Sequence, residues 1–180
     1  MKFLTSNDPL EWVTRFAPLI EPDGPVLDLA SGNGRHSHYL NSIGFQVTAI
    51  DKNISNPIQG SNNIEWLEFD LEDGGPWILE GKLFKGIVVT NYLYRPLFPV
   101  ILNSLDENGV LIYETFCLGN EKLGKPSNPD YLLRSGELLT VFSEELKIIA
   151  YEEDTLGKNQ TSMKQRICAI KLLPGSTLLF

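Results

Sequence analysis

Residues 26–51 limit the folds open to this chain more than any other stretch. Residues 26–29 (VLDL) are a short apolar run of the kind that fills a parallel strand buried on both faces. Ser31-Gly-Asn-Gly34 follows as a turn, residues 35–43 read as a helix closed by Gly44, and residues 46–50 as a second strand. Strand, glycine turn, helix, strand is a βαβ unit, which sets its two strands parallel in one sheet with a helix laid on it.

Other elements extend this pattern in both directions. Asp8 is placed as an N-cap with Pro9 at the first helical position. Leu10, Trp12, Val13, Phe16, Ala17 and Ile20 then form an apolar stripe that Pro22 and Pro25 end. Residues 64–69, 83–89 and 110–116 read as further strands, with a short turn at 76–79 and a helix over 96–105 that Asp106-Glu-Asn-Gly109 stops. Residues 117–134 are loop-like, and Ser135 can cap a helix running to about Phe142. Residues 146–153 and 165–172 are strands with no helix between them, so they must pair antiparallel. The expected fold is α/β, doubly wound: a mostly parallel seven-stranded sheet with a C-terminal antiparallel strand pair and helices on both faces. It forms a single domain over 1–180, with a cofactor-binding half at about 1–81 and acceptor-binding elements at about 82–180.

Composition excludes several classes. The chain is 42% hydrophobic and 21% charged, which is not the balance of a disordered protein. No apolar run approaches 18 residues, and the start MKFLTSNDP turns polar too early for a signal peptide. Cys117 and Cys168 make neither a disulfide framework nor a metal knuckle, so a cytoplasmic protein without a membrane span is expected. The net charge of −8 opposes binding to nucleic acid or anionic lipid. All of that excess lies in residues 1–81, which hold 4 basic and 12 acidic side chains, whereas 82–180 hold 11 of each. Either this half has a solvated acidic face, or it receives something cationic.

The glycine turn carries the chemical signal. Small residues at 30, 32 and 34 let backbone approach a ligand closely, and the helix start that follows offers N–H groups. A dinucleotide fingerprint needs a third glycine where this chain has Ser37, preceded by Arg35 and His36. Asp28 adds fixed negative charge at the strand end, which a pyrophosphate would oppose and an ammonium or sulfonium would favour. Asp51, 17 residues past Gly34, is placed to accept from both hydroxyls of a ribose, and Asp70 from an adenine amino group. Three such strand-end carboxylates would be expensive as structural devices alone.

VLDLASGNGRHS, then VTAID, then FDLED resemble the class I, seven-stranded S-adenosylmethionine-dependent methyltransferases, whose fold also ends in an antiparallel β6–β7 pair. NYLYRPL, LIYETF and GNEKLGKPSNPDYLLRSGELL resemble a small bacterial branch akin to the tellurite-resistance methyltransferases. Ala30 stands where that pattern commonly has glycine. By position, the resemblance implies that Asp28 and the backbone at Ala30 and Gly32 hold the methionine end of the donor. It further implies Asp51 for the ribose, Asp70 and Leu71 for the adenine, and Thr90-Asn91-Tyr92 beside the sulfonium. Ser31, Gly34 and Lys52 complete the cofactor-binding candidates.

The implied reaction is in-line methyl displacement, for which positioning suffices and no covalent residue is required. Asn91, Tyr92 and Glu114 are the catalytic candidates, Glu114 either as a base or as a structural hydrogen-bond acceptor. Tyr92, Tyr94, Arg95, Asn128, Tyr131 and Arg134 are the candidates for acceptor binding. Arg95 is placed either to bind an anionic acceptor or to cover a helix start. The loop 119–134, with Lys122, Lys125 and Arg134 against Glu121 and Asp130, is a candidate lid. His36 and His38 face different directions on their helix, so no metal site is expected. Cys117 reads as a buried thiol, Trp12 and Trp77 as packing, and Trp66 as a neighbour of the adenine pocket. The resulting expectation is a methyltransferase using S-adenosyl-L-methionine on a small-molecule acceptor, as a monomer or homodimer. The alternatives are an NAD-type dinucleotide oxidoreductase, and a catalytically inactive cofactor-binding or interaction module.

Overall fold

The computed structural model describes residues 8–54, 63–155 and 161–173. Seven strands form one sheet: β1 (Pro25–Leu29), β2 (Gln46–Asp51), β3 (Ile64–Glu68), β4 (Phe84–Thr90), β5 (Leu105–Phe116), β6 (Lys147–Glu153) and β7 (Lys164–Ile170). Their order across the sheet is β3-β2-β1-β4-β5-β7-β6. The first five are parallel, and β7 lies between β5 and β6, antiparallel to both. The doubly wound sheet with a reversed C-terminal pair is therefore present.

The central strands read as continuous apolar runs because both of their faces are covered. Helices α1 (Glu11–Phe16) and α2 (Arg35–Ser42) pack on the face carrying Val26, Val88, Val110, Ile112 and Cys168. Helices α3 (Phe98–Ser104) and α4 (Glu137–Phe142) cover the face of Leu27, Leu29, Ile87, Val89, Leu111 and Tyr113. No helix among the described residues is long and apolar enough to cross a membrane.

Three expected boundaries shift, each for a tertiary reason. The first helix starts at Glu11, not after Asp8, because Leu10 is extended and donates its N–H to His36 Nε2 at 3.2 Å. Residues 106–109 do not end an element; they continue β5 across an irregularity in its pairing with β4, with Asn108 at φ +60°. Ser135 does not cap α4. Its hydroxyl donates to Glu153 Oε2 at 3.3 Å, while Gly136, at φ +66°, takes the cap position.

Candidate active site

The C-terminal ends of β1, β2 and β4, with the residues that follow β3, converge on a cleft of about 240 Å³ lined by Ala30, Asp51, Lys52, Asp70, Leu71, Glu72 and Tyr92. This is the crevice that open α/β sheets use for ligands. Asp51 closes β2 and staples the glycine turn to it, since its Oδ2 accepts from Gly32 N–H at 2.7 Å and its Oδ1 from Asn53 N–H at 3.0 Å. Asp70 accepts from Glu72 N–H at 3.0 Å and from the Lys52 ammonium at 2.5 Å, which holds its carboxyl below the ordinary carboxylate range. Leu71 is buried and forms the cleft's apolar wall.

The turn itself runs through left-handed backbone at Ala30 (φ +57°), Gly32 (φ +56°) and Gly34 (φ +79°). Ala30 adopts at some strain what glycine adopts freely. Gly32 faces open space, where an added Cβ would meet nothing within 4 Å. Gly34 serves packing instead. Its Cβ would lie 2.2 Å from the Trp66 ring, and its N–H is taken by the Ser31 carbonyl at 3.0 Å. Trp66 correspondingly packs on Gly34 and on His38, with ring centroids 5.6 Å apart, which moves it from the expected adenine side to the α2 face.

Asp28 is 1% exposed and points to α2, where its Oδ2 accepts from the Ser37 hydroxyl. Its Oδ1 is buried with no hydrogen-bond partner among the described residues, and the Ser31 hydroxyl beside it is in the same state. Burial pushes the Asp28 carboxyl up to about 6.

On the same face, β4 and β5 end in residues tied to distant partners. Asn91, at φ +55°, donates its N–H to the Glu114 carbonyl at 2.8 Å. Lys164 Nζ reaches across from β7, donating to Asn91 Oδ1 at 2.8 Å and to Glu114 Oε1 at 2.6 Å. Arg166 Nε lies 3.4 Å from Glu114 Oε2. Glu114, 4% exposed, is thus ion-paired on both oxygens, the arrangement of a structural acceptor rather than a free base.

His36, which the sequence offers only as a non-metal helix residue, is a connector. It accepts from Leu10 N–H through Nε2, so Nδ1 carries the proton and donates to Thr90 Oγ1 at 3.2 Å. Burial, reinforced by the charges of Arg35 and Lys164, lowers its pKa to about 3 and keeps it neutral.

The acceptor-side candidates lie in several different places. Tyr92 lines the same cleft as Asp51 and Asp70, where its hydroxyl donates to Glu72 Oε1 at 3.2 Å, and burial raises its phenol far above the ordinary value. Tyr94 lines a separate apolar cleft of about 200 Å³ with Phe69, Leu71 and Trp77. Arg95 is not available to an anion. Its guanidinium makes a two-pronged pair with Glu137 at 2.7 and 2.9 Å and donates to the carbonyls of Asp130 and Leu132. Asn128 caps the short 3-10 turn Pro129–Tyr131 by accepting from Asp130 N–H at 3.1 Å. Tyr131 is 49% exposed, and Arg134 is an exposed side chain whose backbone is held by Glu137 and Gln165. The loop is anchored at its base by the Cys117–Leu133 bridge and by the buried Asn120, which donates to the Pro126 carbonyl and accepts from Met163 N–H. Burial pushes the Cys117 thiol up to about 11, as befits a packed rather than a nucleophilic cysteine. No group of metal-ligating side chains occurs among the described residues.

Residues 11–71, a third of the chain, match the family model described as tellurite resistance protein TehB. No curated protein sequence matches. Among solved structures, TehB from Haemophilus influenzae is similar over 88% of this chain, with 22% identity and a TM-score of 0.69; the chain spans 61% of that protein's length. The N-methyltransferase NodS from Bradyrhizobium japonicum, solved with S-adenosylhomocysteine, is similar at 16% identity over 88% of this chain and 84% of its own, with a TM-score of 0.67. The 1,6-didemethyltoxoflavin-N1-methyltransferase of Burkholderia thailandensis, also with S-adenosylhomocysteine, gives 16% identity over 89% and 76%, and a TM-score of 0.66. The chain thus has the fold of the class I S-adenosylmethionine-dependent methyltransferases, and its first third resembles the tellurite-resistance type.

Proposed function

We propose that the chain is an S-adenosylmethionine-dependent methyltransferase acting on a small-molecule acceptor. The observation that carries this reading is the buried, half-partnered Asp28 carboxylate near the end of β1, two residues before Ala30, which lines the cleft that holds Asp51 and Asp70. A buried carboxylate oxygen with no partner is costly, and a cationic ligand removes that cost. In this reading Asp28 and Ser31, whose buried oxygens have no partner, take the amino-acid end of the donor, the exposed face of Gly32 leaves room for it, and Asp51 keeps unused lone pairs for ribose hydroxyls. Leu71, Asp70 and Tyr92 offer an apolar wall and polar edges for a base.

When bound, the donor supplies an electrophilic methyl on sulfonium. The chain's residues orient it and exclude water, while Asn91, fixed by Lys164, closes the β4 end of the site. The dinucleotide reading is disfavoured because the Asp28 carboxylate and Ser37 fill the start of α2 where a pyrophosphate would need open N–H groups.

Calorimetric titration tests the assignment. S-adenosylhomocysteine should bind in preference to NAD, and Asp51→Ala should weaken it by about 1–3 kcal/mol through lost charge-assisted hydrogen bonds. Preferential NAD binding overturns the reading.

A further inference from the structure

We infer that the cleft between α1 and the β5-β7-β6 end of the sheet is the acceptor site, and that it takes a small polar molecule bearing an amino group. The inference rests on the methyl-donor reading and extends it. Thr90, Glu114, Arg166 and Glu152 are direct partners across β4, β5, β7 and β6, so they form one polar rung. Two residues back, the same face carries Val88, Ile112, Cys168 and Ala150. A packing face has no use for such a rung, since each charge must be desolvated and paired.

Helix α1 lies against this rung, tied down by Trp12 Nε1 donating to the Ile167 carbonyl at 3.1 Å. Between them is a cleft of about 570 Å³ whose lining includes Leu10, Glu11 and Trp12 on one wall and Glu114, Lys164 and Arg166 on the other. The sheet order sets it beside the donor cleft: one is built on the ends of β1, β2 and β4 with the residues after β3, the other on β5, β7 and β6, which follow β4 across the sheet. Lys164 joins the two through its bond to Asn91 at the β4 end.

The charges select the ligand. Arg166 is spent on Asp154 through two bonds of 2.8 and 3.1 Å, Lys164 on Glu114 and Asn91, and Arg15 lies over the Trp12 and Phe16 rings beside Glu152. Glu11, exposed on the cleft wall, has no side-chain partner among the described residues. Among the described lining residues four carboxylates face three cations, each cation has a carboxylate partner, and Glu11 is the carboxylate left over for an ammonium. The bound ammonium first gives a proton to water; the lone pair of the resulting neutral amine then forms the N–C bond as the S–C bond breaks, with that bond's electron pair left on sulfur. The methylammonium product then sheds a proton to water.

The test supplies the full chain with methyl-labelled S-adenosylmethionine and either ethanolamine, putrescine and phenethylamine, or selenite and benzoate. Label should enter the amines, and Glu11→Lys should lower kcat/KM for them about tenfold while S-adenosylhomocysteine affinity stays within about twofold. Label in the oxyanions alone, none in the amines despite S-adenosylhomocysteine binding, or an unaffected Glu11→Lys variant overturns the acceptor assignment. Failure of the unsubstituted chain to bind S-adenosylhomocysteine overturns the donor reading beneath it.

Discussion

After β2 and β3, carboxylates meet backbone two residues away: Asp51 with Asn53, Asp70 with Glu72, Asp73 with Gly75. At the β5-β7-β6 end Glu114 is buried, and its partners come from far along the chain. Glu114 and Lys164 are 50 residues apart, and Asn91 and Lys164 are 73 apart. The first kind of contact shapes a turn and leaves lone pairs for a ligand. The second kind fixes strands against one another and carries much more energy, because removing one partner strands a charge in the interior. Only in the first region does the local sequence suffice to read the chemistry.

The sharpest break of this contrast is Lys164→Met. It leaves Glu114 short of its closest cation and should destabilise the chain by about 3–5 kcal/mol in urea unfolding, with Lys164→Met/Glu114→Leu recovering most of the loss. A cost near that of an exposed pair, below about 1 kcal/mol, would erase the difference between the two ends. Gly34→Ala probes the boundary between packing and binding. Left-handed backbone and the Trp66 ring together should cost about 2–4 kcal/mol, partly restored by adding Trp66→Leu. Arg95→Met should cost about 1–3 kcal/mol in thermal unfolding, yet leave S-adenosylhomocysteine affinity within about twofold, because the side chain clamps a loop to α4 and not a ligand.

How much was legible follows from where the partners lie. β1, β4 and β5 could be read because Val26, Val88 and Ile112 on one face and Leu29, Val89 and Leu111 on the other leave no polar face to interrupt them. Helix starts were misplaced where a distant residue decides the cap: His36 for Leu10, Glu153 for Gly136. In the donor cleft, Asp51, Asp70 and Leu71 could be named because each sits at or just beyond a strand end. The roles of Arg95 and Glu114 could not, since Glu137 and Lys164 enter only through the fold. One overlooked signal was available. Lys164 and Arg166 alternate along a strand whose other members on that face are apolar, which marks a charged end to a buried face.

On the proposed function, the buried carboxylate of Asp28 near the end of β1 receives a cationic group of the ligand. Its pKa of about 6, raised above the unfolded value of 3.8 by burial, means that about half the free chains hold the proton at pH 6. An ammonium placed beside Asp28 lowers that pKa, so binding must release the proton. The direct test is calorimetric titration with S-adenosylhomocysteine at pH 6 in two buffers of different protonation heat. The expected result is net proton release on binding by the unsubstituted chain, and markedly less release by Asp28→Asn. No binding, or binding with no proton released by the unsubstituted chain, would contradict it.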